Sequence, residues 1–396
     1  MDSPWKPFLR ENILNPYPMY KELRETFPIY ESNPGEWVIT RYEDVKAILK
    51  NDKFKVGNRA DWLGKVAERY PEKGRFDPIV EALDSFIVFK NPPDHTILRK
   101  LIMQAWNDRD VDQIIQNNIE SLFSRIDKSH VNIVSSLAIP LPAMTMTRIL
   151  GLPMEDHKYL ETLSHQMMKS LDLYLTFREI EKMNTAAESF ITYFESYAKK
   201  KLANPDNSLL SRLIQLNKDK EDVPHHELIA NCFFLFIAGG ETSAGLIGPG
   251  LYHLITGGKF GVQLRDSQLC KTATDELLRF DAPTHLVGRI ASEDIQTENH
   301  LFNKGDLLTI CIGAANRDPE KFDQPDSLKL DRNPNHHLTF STGIHRCLGD
   351  WLAKREFELL LEYLACKFNS IELLDEPVWK ENLGMRSFNS LLVSCQ

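Results

Sequence analysis

Cys347 lies in the segment Phe340–Asp350, FSTGIHRCLGD, between the pairs Thr342-Gly343 and Leu348-Gly349. Glycines there permit turns and close backbone approach that bulkier residues resist. A helix-periodic run, WLAKREFELLLEYLACKF, follows at once, so Cys347 is predicted at the mouth of the last long helix. Unpaired N–H groups and the positive end of the helix dipole favour a thiolate at that place. A thiolate is also the ligand that pushes electron density onto haem iron and promotes O–O cleavage. The bland alternative is a free cysteine buried beside a turn. The other five, Cys232, Cys270, Cys311, Cys366 and Cys395, are scattered with no CxxC pair, so no disulfide framework is expected.

Three further groups could work with such a ligand. Ala238-Gly239-Gly240-Glu241-Thr242-Ser243 falls inside an apolar stretch with helical spacing. Two adjacent glycines there cost about 1 kcal/mol each relative to alanine. Either close helix packing or a ligand pressed on the backbone would explain them. The Thr242 hydroxyl can bond back along the helix or turn outward and open the ladder. His95 and Arg99 stand at i and i+4 on one helix face, a pair that suits an anionic partner such as a carboxylate or simply a solvated polar face. Glu276 and Arg279, three apart, share a face too; alone they would be a surface pair worth a few tenths of a kcal/mol, about 0.2–0.5.

The elements that must position these groups are mostly helical. Tyr17–Phe27 and Arg41–Leu49 have helical spacing, with a hairpin expected in PIYESNPGEWVIT around an Asn-Pro-Gly turn. Residues 59–89 are irregular and rich in Gly, Pro and charge, which predicts a long functional loop or short helices. Helical patterns recur from Pro93 to about Asn204, over His225 to about Ile255 and over Ser267–Phe280. Short strands are expected in HLVGRIA, DIQTEN, LFN and LLTICIG. With no repeat and no Gly/Ser linker, residues 1–396 are expected to form a single domain, mainly α with a minor β region.

Lys plus Arg total 47 against 56 for Asp plus Glu, a formal net charge of -9, which makes nucleic acid a poor partner. The N-terminal twenty residues have no apolar core behind a basic start, so neither a signal peptide nor a membrane anchor is expected, and the location is expected to be cytoplasmic. The apolar stretch from Ile229 to Ile255 raises the transmembrane question; Glu241, the flanking glycines and Pro249 favour a buried core helix. His225-His226 and His336-His337 come without HExxH or CxxC and are expected to be solvated loop or cap residues. No GxSxG, GxxxxGK[ST] or GxGxxG stretch is present.

Taken in order, these motifs resemble those of the cytochrome P450 superfamily, in its soluble bacterial branch. Phe340, Gly343, His345, Cys347 and Gly349 match its ligand loop Phe-x-x-Gly-x-His/Arg-x-Cys-x-Gly. The resemblance runs over essentially the whole chain, including NPYPMYKELRE, PPDHTILR and GAANRDPEKFDQPDSLKLDRNPNHHLTF. It implies a P450 fold, with a long central helix over haem b and a cysteine loop beneath it. Cys347 would then be the axial ligand, Phe340 would pack beside the sulfur, and His345 would bond a propionate. His95 and Arg99 would clamp propionate, and Arg289 would add a further contact. Ala238 would line the oxygen-activating groove, Thr242 would hydrogen-bond the bound oxygen and Glu241 would help relay protons. Glu276 and Arg279 would form a buried structural pair.

The resemblance further implies a monooxygenase that hydroxylates or epoxidises a hydrophobic small molecule in specialised metabolism, of fatty-acyl, polyketide or terpenoid type, free or carrier-bound. Peroxide-driven oxidation, haem-thiolate rearrangement and a non-catalytic haem sensor are the alternatives; Glu241 and Thr242 argue against the first two. Electrons would come from a ferredoxin or flavodoxin with an NAD(P)H-dependent reductase. Lys100, Arg346, Lys354 and Arg355 would offer it a basic docking patch, or be an ordinary solvated face. The similarity places Ile87, Val88, Phe234, Ala238, Leu286, Val287 and Phe388 at an apolar substrate pocket.

Overall fold

The structure, a computed structural model, describes residues 3–32, 35–68, 76–106, 110–171, 175–218 and 222–396. The chain gathers into two compact units: one holds 1–55, 119–138 and 242–396, the other 56–118 and 139–241.

The first unit is built around a five-stranded sheet. Ile29–Glu31 and Glu36–Ile39 form the expected antiparallel hairpin, whose Asn33-Pro34 lies outside the described residues. Glu36–Ile39 then pairs parallel with Leu307–Cys311, which lies antiparallel to Leu286–Ala291, with Phe54–Lys55 at the far edge. The sheet closes over apolar side chains from the Tyr42–Lys50 helix, Val45, Ile48 and Leu49, together with Phe302, Ile310 and Phe322. Burying such side chains contributes about 1.5–3 kcal/mol each. The helix Ser267–Phe280 starts where Asp266 Oδ1 accepts the N–H groups of Gln268 and Leu269 at 2.8 and 2.9 Å, an N-cap of the usual kind. The helix expected near Cys347 begins at Asp350 and runs to Lys367, so the thiol precedes it by three residues.

The second unit is helical. Residues 59–89, expected as a loop or short helices, contain the helices Arg59–Ala67 and Asp77–Ser85 and a single 3-10 turn, Ile87–Phe89; residues 69–75 lie outside the described set. The helix Phe177–Ala203 opens with a capping box in which Thr176 and Glu179 satisfy each other's backbone N–H groups. Its Phe190 stacks on Phe233 with ring centroids 5.0 Å apart, and Phe86 meets Phe233 edge-on at 5.2 Å.

One helix, His225–Thr256, belongs to both: residues up to Glu241 go with the second unit and Thr242 onward with the first. It is long and apolar enough to cross a membrane, yet 67% of its most apolar window is buried inside the protein, as a core helix requires.

Candidate active site

In the first unit the cysteine loop is shaped by its own backbone. The Cys347 N–H donates to the Phe340 carbonyl at 2.9 Å and the Arg346 N–H to Gly343 at 3.2 Å, closing a tight turn around Gly343–His345. Gly343 has φ +74°, and a Cβ there would stand 2.4 Å from the Leu49 carbonyl oxygen, so this turn admits only glycine. The loop then enters the Asp350–Lys367 helix through Gly349, whose carbonyl accepts the Ala353 N–H at 3.0 Å.

Burial sorts the six thiols. Cys232, Cys270, Cys311 and Cys395 are buried. That burial pushes Cys232 and Cys270 up to about 12 and Cys395 to about 11, so all three are thiols at neutral pH. Cys347 and Cys366 are exposed. Cys366 sits in the last turn of its helix, where the carbonyl ends favour cations, whereas Cys347 precedes the N-terminus of the same helix, where anions are favoured.

On the adjacent strand Leu286–Ala291, Arg289 is buried. Nη1 donates to the Gly288 carbonyl at 2.7 Å, and no carboxylate among the described residues pairs with it. Desolvation alone brings its pKa down to about 10. A buried cation without a counter-ion costs several kcal/mol, roughly 3–5. An anionic ligand such as a propionate would offset that cost, so the donor set of this unit fits haem: an exposed thiol and a buried, uncompensated guanidinium. Leu286 and Val287 on the same strand are half-buried. Phe388 is fully enclosed against Trp379, 4.0 Å between centroids, and Tyr252, 5.5 Å, which places it in the aromatic core of its own unit.

Glu276 and Arg279 are both wholly buried and bidentate, Nε–Oε2 2.8 Å and Nη2–Oε1 2.9 Å. Sequence reasoning missed the third charge: Arg332 Nε reaches Glu276 Oε2 at 2.9 Å, joined by the Lys329 N–H at 2.9 Å and Asn335 Nδ2 at 3.2 Å. Every lone pair of the carboxylate is used, which is what makes a buried charge tolerable.

Beside the cysteine loop lies a hollow of about 530 Å³ lined by Lys46, Lys50, Lys321, Arg346 and Lys354 and by two carboxylates, Asp275 and Asp350. Arg346 Nη2 pairs with Asp350 at 2.6 Å and Lys354 with Asp275 at 2.7 Å. Burial works to raise the Asp275 carboxyl, but hydrogen bonds from His337 and Lys354 prevail and hold it below its ordinary value. Of the expected basic patch, Arg346 and Lys354 line this hollow. Arg355 instead pairs with Glu358 at 3.3 Å, and Lys100 is exposed in the other unit. His336 lines the hollow as well, and His225 pairs with Glu195 at 3.1 Å; no cluster of three metal-ligating side chains occurs among the described residues.

In the second unit His95 is buried on the helix Asp94–Ala105, with Arg99 half-buried on the same face. Burial, helped by the Arg99 charge, lowers its pKa to about 4, so His95 is neutral and Arg99 alone carries the charge. Ala238, Gly239, Gly240 and Glu241 are half-buried along the long helix, as is Thr242 in the first unit. A Cβ on Gly239 would press on Met146 at 3.3 Å, but one on Gly240 would meet only Ser164 Oγ at 3.7 Å, an ordinary contact. A side chain at 239 would therefore need the flexible Met146 to shift by a few tenths of an ångström, and one at 240 would need no such shift. Glu241 Oε1 lies 3.7 Å from Nδ1 of His165, whose side chain is 65% exposed; no motif points to this partner. Phe234 lies over Phe86 at 4.8 Å, Ile87 is buried and Val88 exposed.

Comparison with known proteins agrees with this geometry. The family model described as Cytochrome P450 matches residues 262–385. The chain is 30% identical over 395 residues to the biotin biosynthesis cytochrome P450 of Bacillus subtilis, covering 97% of each chain. It is also 30% identical over 404 residues to the polyketide biosynthesis cytochrome P450 PksS of the same organism, covering 98% of each. The crystal structure of P450BioI in complex with hexadec-9Z-enoic acid ligated acyl carrier protein superposes with a TM-score of 0.89 at 29% identity, over 98% of this chain and 100% of that one. That of CalO2, at 22% identity and a TM-score of 0.91, shares the fold over 99% and 98%. The chain belongs to the bacterial cytochrome P450 family and is a haem-thiolate monooxygenase.

Proposed function

We propose that Cys347 would hold haem b as its thiolate ligand and that the enzyme hydroxylates or epoxidises a hydrophobic acyl or polyketide-like chain carried on an acyl carrier protein. The observation that carries the ligand assignment is one exposed thiol ahead of a helix N-terminus, in the same unit as a buried guanidinium with no carboxylate partner among the described residues. Bound there, haem supplies the dioxygen-activating chemistry that no side chain can supply.

The chain's own residues do the rest. The Phe340 carbonyl fixes the Cys347 backbone, and Phe340 shields the sulfur. Arg289 and His345 in the first unit, and His95 and Arg99 in the second, would each offer hydrogen bonds to a propionate. The Thr242 hydroxyl would donate a hydrogen bond in the groove beside Ala238, where the haem would supply its chemistry. The Glu241 carboxylate supplies protons, and its exposed neighbour His165 links it to solvent. In the second unit Ala238, Ile87, Val88 and Phe234 would offer apolar surface to a substrate, as Leu286 and Val287 would in the first. The carrier-bound acyl reading is supported by relatives named for biotin and polyketide biosynthesis and by the carrier protein bound to P450BioI. Electrons come from a separate ferredoxin or flavodoxin with its NAD(P)H-dependent reductase, docking at the basic hollow. Residues 1–396 work as one P450 domain in the cytoplasm, a reading supported by the end-to-end match to the relatives.

The test is spectroscopic. Reduced protein under carbon monoxide should show the strongly red-shifted Soret band of a thiolate ligand, and Cys347→Ala should lose it; a normal band in the variant refutes the assignment. Titration with hexadec-9-enoic acid, free and loaded on acyl carrier protein, should displace iron-bound water with tighter binding of the loaded form. No Soret shift with either form removes the acyl reading and leaves the ligand assignment intact.

A further inference from the structure

Between the helices Asp77–Ser85 and Asp94–Ala105 the chain has only one 3-10 turn, Ile87–Phe89, to hold it. Such connections are usually the mobile parts of a fold. This one is tied down at both ends by side-chain amides. Asn231, only 1% exposed on the long helix, accepts the Ile87 N–H on Oδ1 at 2.9 Å. Its Nδ2 donates to the Ser85 carbonyl at 2.8 Å and to Glu227 O, one turn back, also at 2.8 Å.

Glu227 adds a second tie, its Oε1 taking Lys90 Nζ at 3.0 Å with both side chains largely buried. Asn91 closes the far end by a reciprocal pair with Val56, donating to its carbonyl and accepting its N–H, both at 3.1 Å. Phe86 packs on Phe233 and Phe234. Within the strap, residues 85, 86, 87, 90 and 91 are thus committed to the unit's interior, and Val88 keeps 36% of its surface exposed.

We propose that Asn231 is a positioning residue for substrate selection. It locks the backbone of 85–87 onto the long helix, so that the strap bearing Ile87 and Val88 is a fixed wall of the substrate pocket and not a lid, and the side chain at 88 sets how long a chain is accepted. This rests on the reading of Ile87 and Val88 as pocket residues. The physical ground is that Asn231 satisfies an N–H and a C=O that would otherwise be buried and unmet, which makes opening the strap costly.

The test uses the holoenzyme and straight-chain N-alkylimidazoles from ethyl to dodecyl, which ligate haem iron whatever the natural substrate is. Val88→Phe should weaken binding of the long members by about tenfold or more in the parent background, and by less than about threefold when combined with Asn231→Leu, because a freed strap can move aside; couplings of that size are ordinary for interacting sites. Additive effects of the two substitutions overturn the proposal. Hydrogen exchange over 85–91 in the unsubstituted, substrate-free holoenzyme gives an independent reading if Asn231→Leu fails to fold. Exchange slowed by about a hundredfold or more relative to an open loop is expected; exchange at the open-loop rate overturns the proposal. Loss of the carbon monoxide band in the unsubstituted protein would instead strike the haem-thiolate reading, so the two failures are distinguishable.

Discussion

Replacing Arg279 with lysine keeps the charge beside Glu276 and removes the fork. The guanidinium makes five hydrogen bonds: two to the Glu276 carboxylate and one each to the carbonyls of Asn316, Pro325 and Ser327. An ammonium has three donors, so at least two of these acceptors lose their partner. Glu276 is not stranded, because Arg332, Asn335 and the Lys329 N–H still reach it. The loss therefore falls on backbone carbonyls in 316–327. Asn316 is fully buried, but Pro325 is half-buried and Ser327 exposed, so water can replace part of what is lost there. At about 1–3 kcal/mol for one buried acceptor left unmet, Arg279→Lys should cost about 1–3 kcal/mol, against a total stability of about 5–15 kcal/mol for an ordinary domain. The measurement is urea unfolding followed by tryptophan fluorescence, with the carbon monoxide band as a count of correctly bound haem. The midpoint should fall and the band should shrink with it. Arg332→Lys, which disturbs two short bonds and two weak ones at 3.4 and 3.5 Å, should cost less. An unchanged midpoint for Arg279→Lys, or a larger loss for Arg332→Lys, would refute the view that the fork matters through the carbonyls it gathers.

Thr242→Ala should bind haem normally yet release more of the consumed electrons as hydrogen peroxide, measured as peroxide formed per NADPH oxidised; unchanged coupling removes the role assigned to its hydroxyl. Asp281 pairs with Arg386 at 3.3 Å and accepts hydrogen bonds from Tyr17 at 2.6 Å and His253 at 2.9 Å; although burial works to raise its pKa, Arg386, His253 and His285 hold it well below the ordinary carboxylate value. A carboxyl depressed on folding stabilises above its unfolded pKa and loses that contribution as pH falls toward the folded one, so Asp281→Asn should lower the melting temperature at pH 7 and flatten its decline below about pH 4; a parallel decline in both proteins counts against this. Charge reversal at Lys50 and Lys321 should slow reduction by an acidic ferredoxin and weaken the dependence of that rate on salt, since steering by surface charge is screened beyond a Debye length of about 8–10 Å; a rate indifferent to both changes would place docking elsewhere.

Much of the helical framework was readable because its signals are local. Tyr17–Thr26, Tyr42–Lys50, Asp94–Ala105 and Ser267–Phe280 all follow from apolar spacing and terminal residues within a single window. The stretch 59–89 was harder because its Gly, Pro and charge content hides two nine-residue helices, each too short to stand out by periodicity. The parallel pairing of Glu36–Ile39 with Leu307–Cys311 joins strands some 270 residues apart, and nothing in either strand names its partner. The helix expected near Cys347 begins at Asp350, because Gly343–His345 and Gly349 consume backbone in a turn before the ladder can begin.

The same divide runs through the site. The cysteine loop announces itself because its demands are local: Gly343 must have positive φ, Cys347 must bond Phe340, and both facts leave marks within eight residues of sequence. Arg332 left none, since its partner Glu276 is 56 residues away and an arginine in a turn-rich segment looks like any solvated charge. Asn231 is still less visible: asparagine is a mediocre helix residue, and its use lies 144 residues back in a backbone N–H that no side-chain pattern reports. What sequence exposes are groups that act through their own backbone. What it hides are groups that settle someone else's hydrogen bonds, and such groups fix how wide a pocket stands open. A chain can therefore declare its chemistry in one loop and leave its choice of substrate to residues that carry no motif.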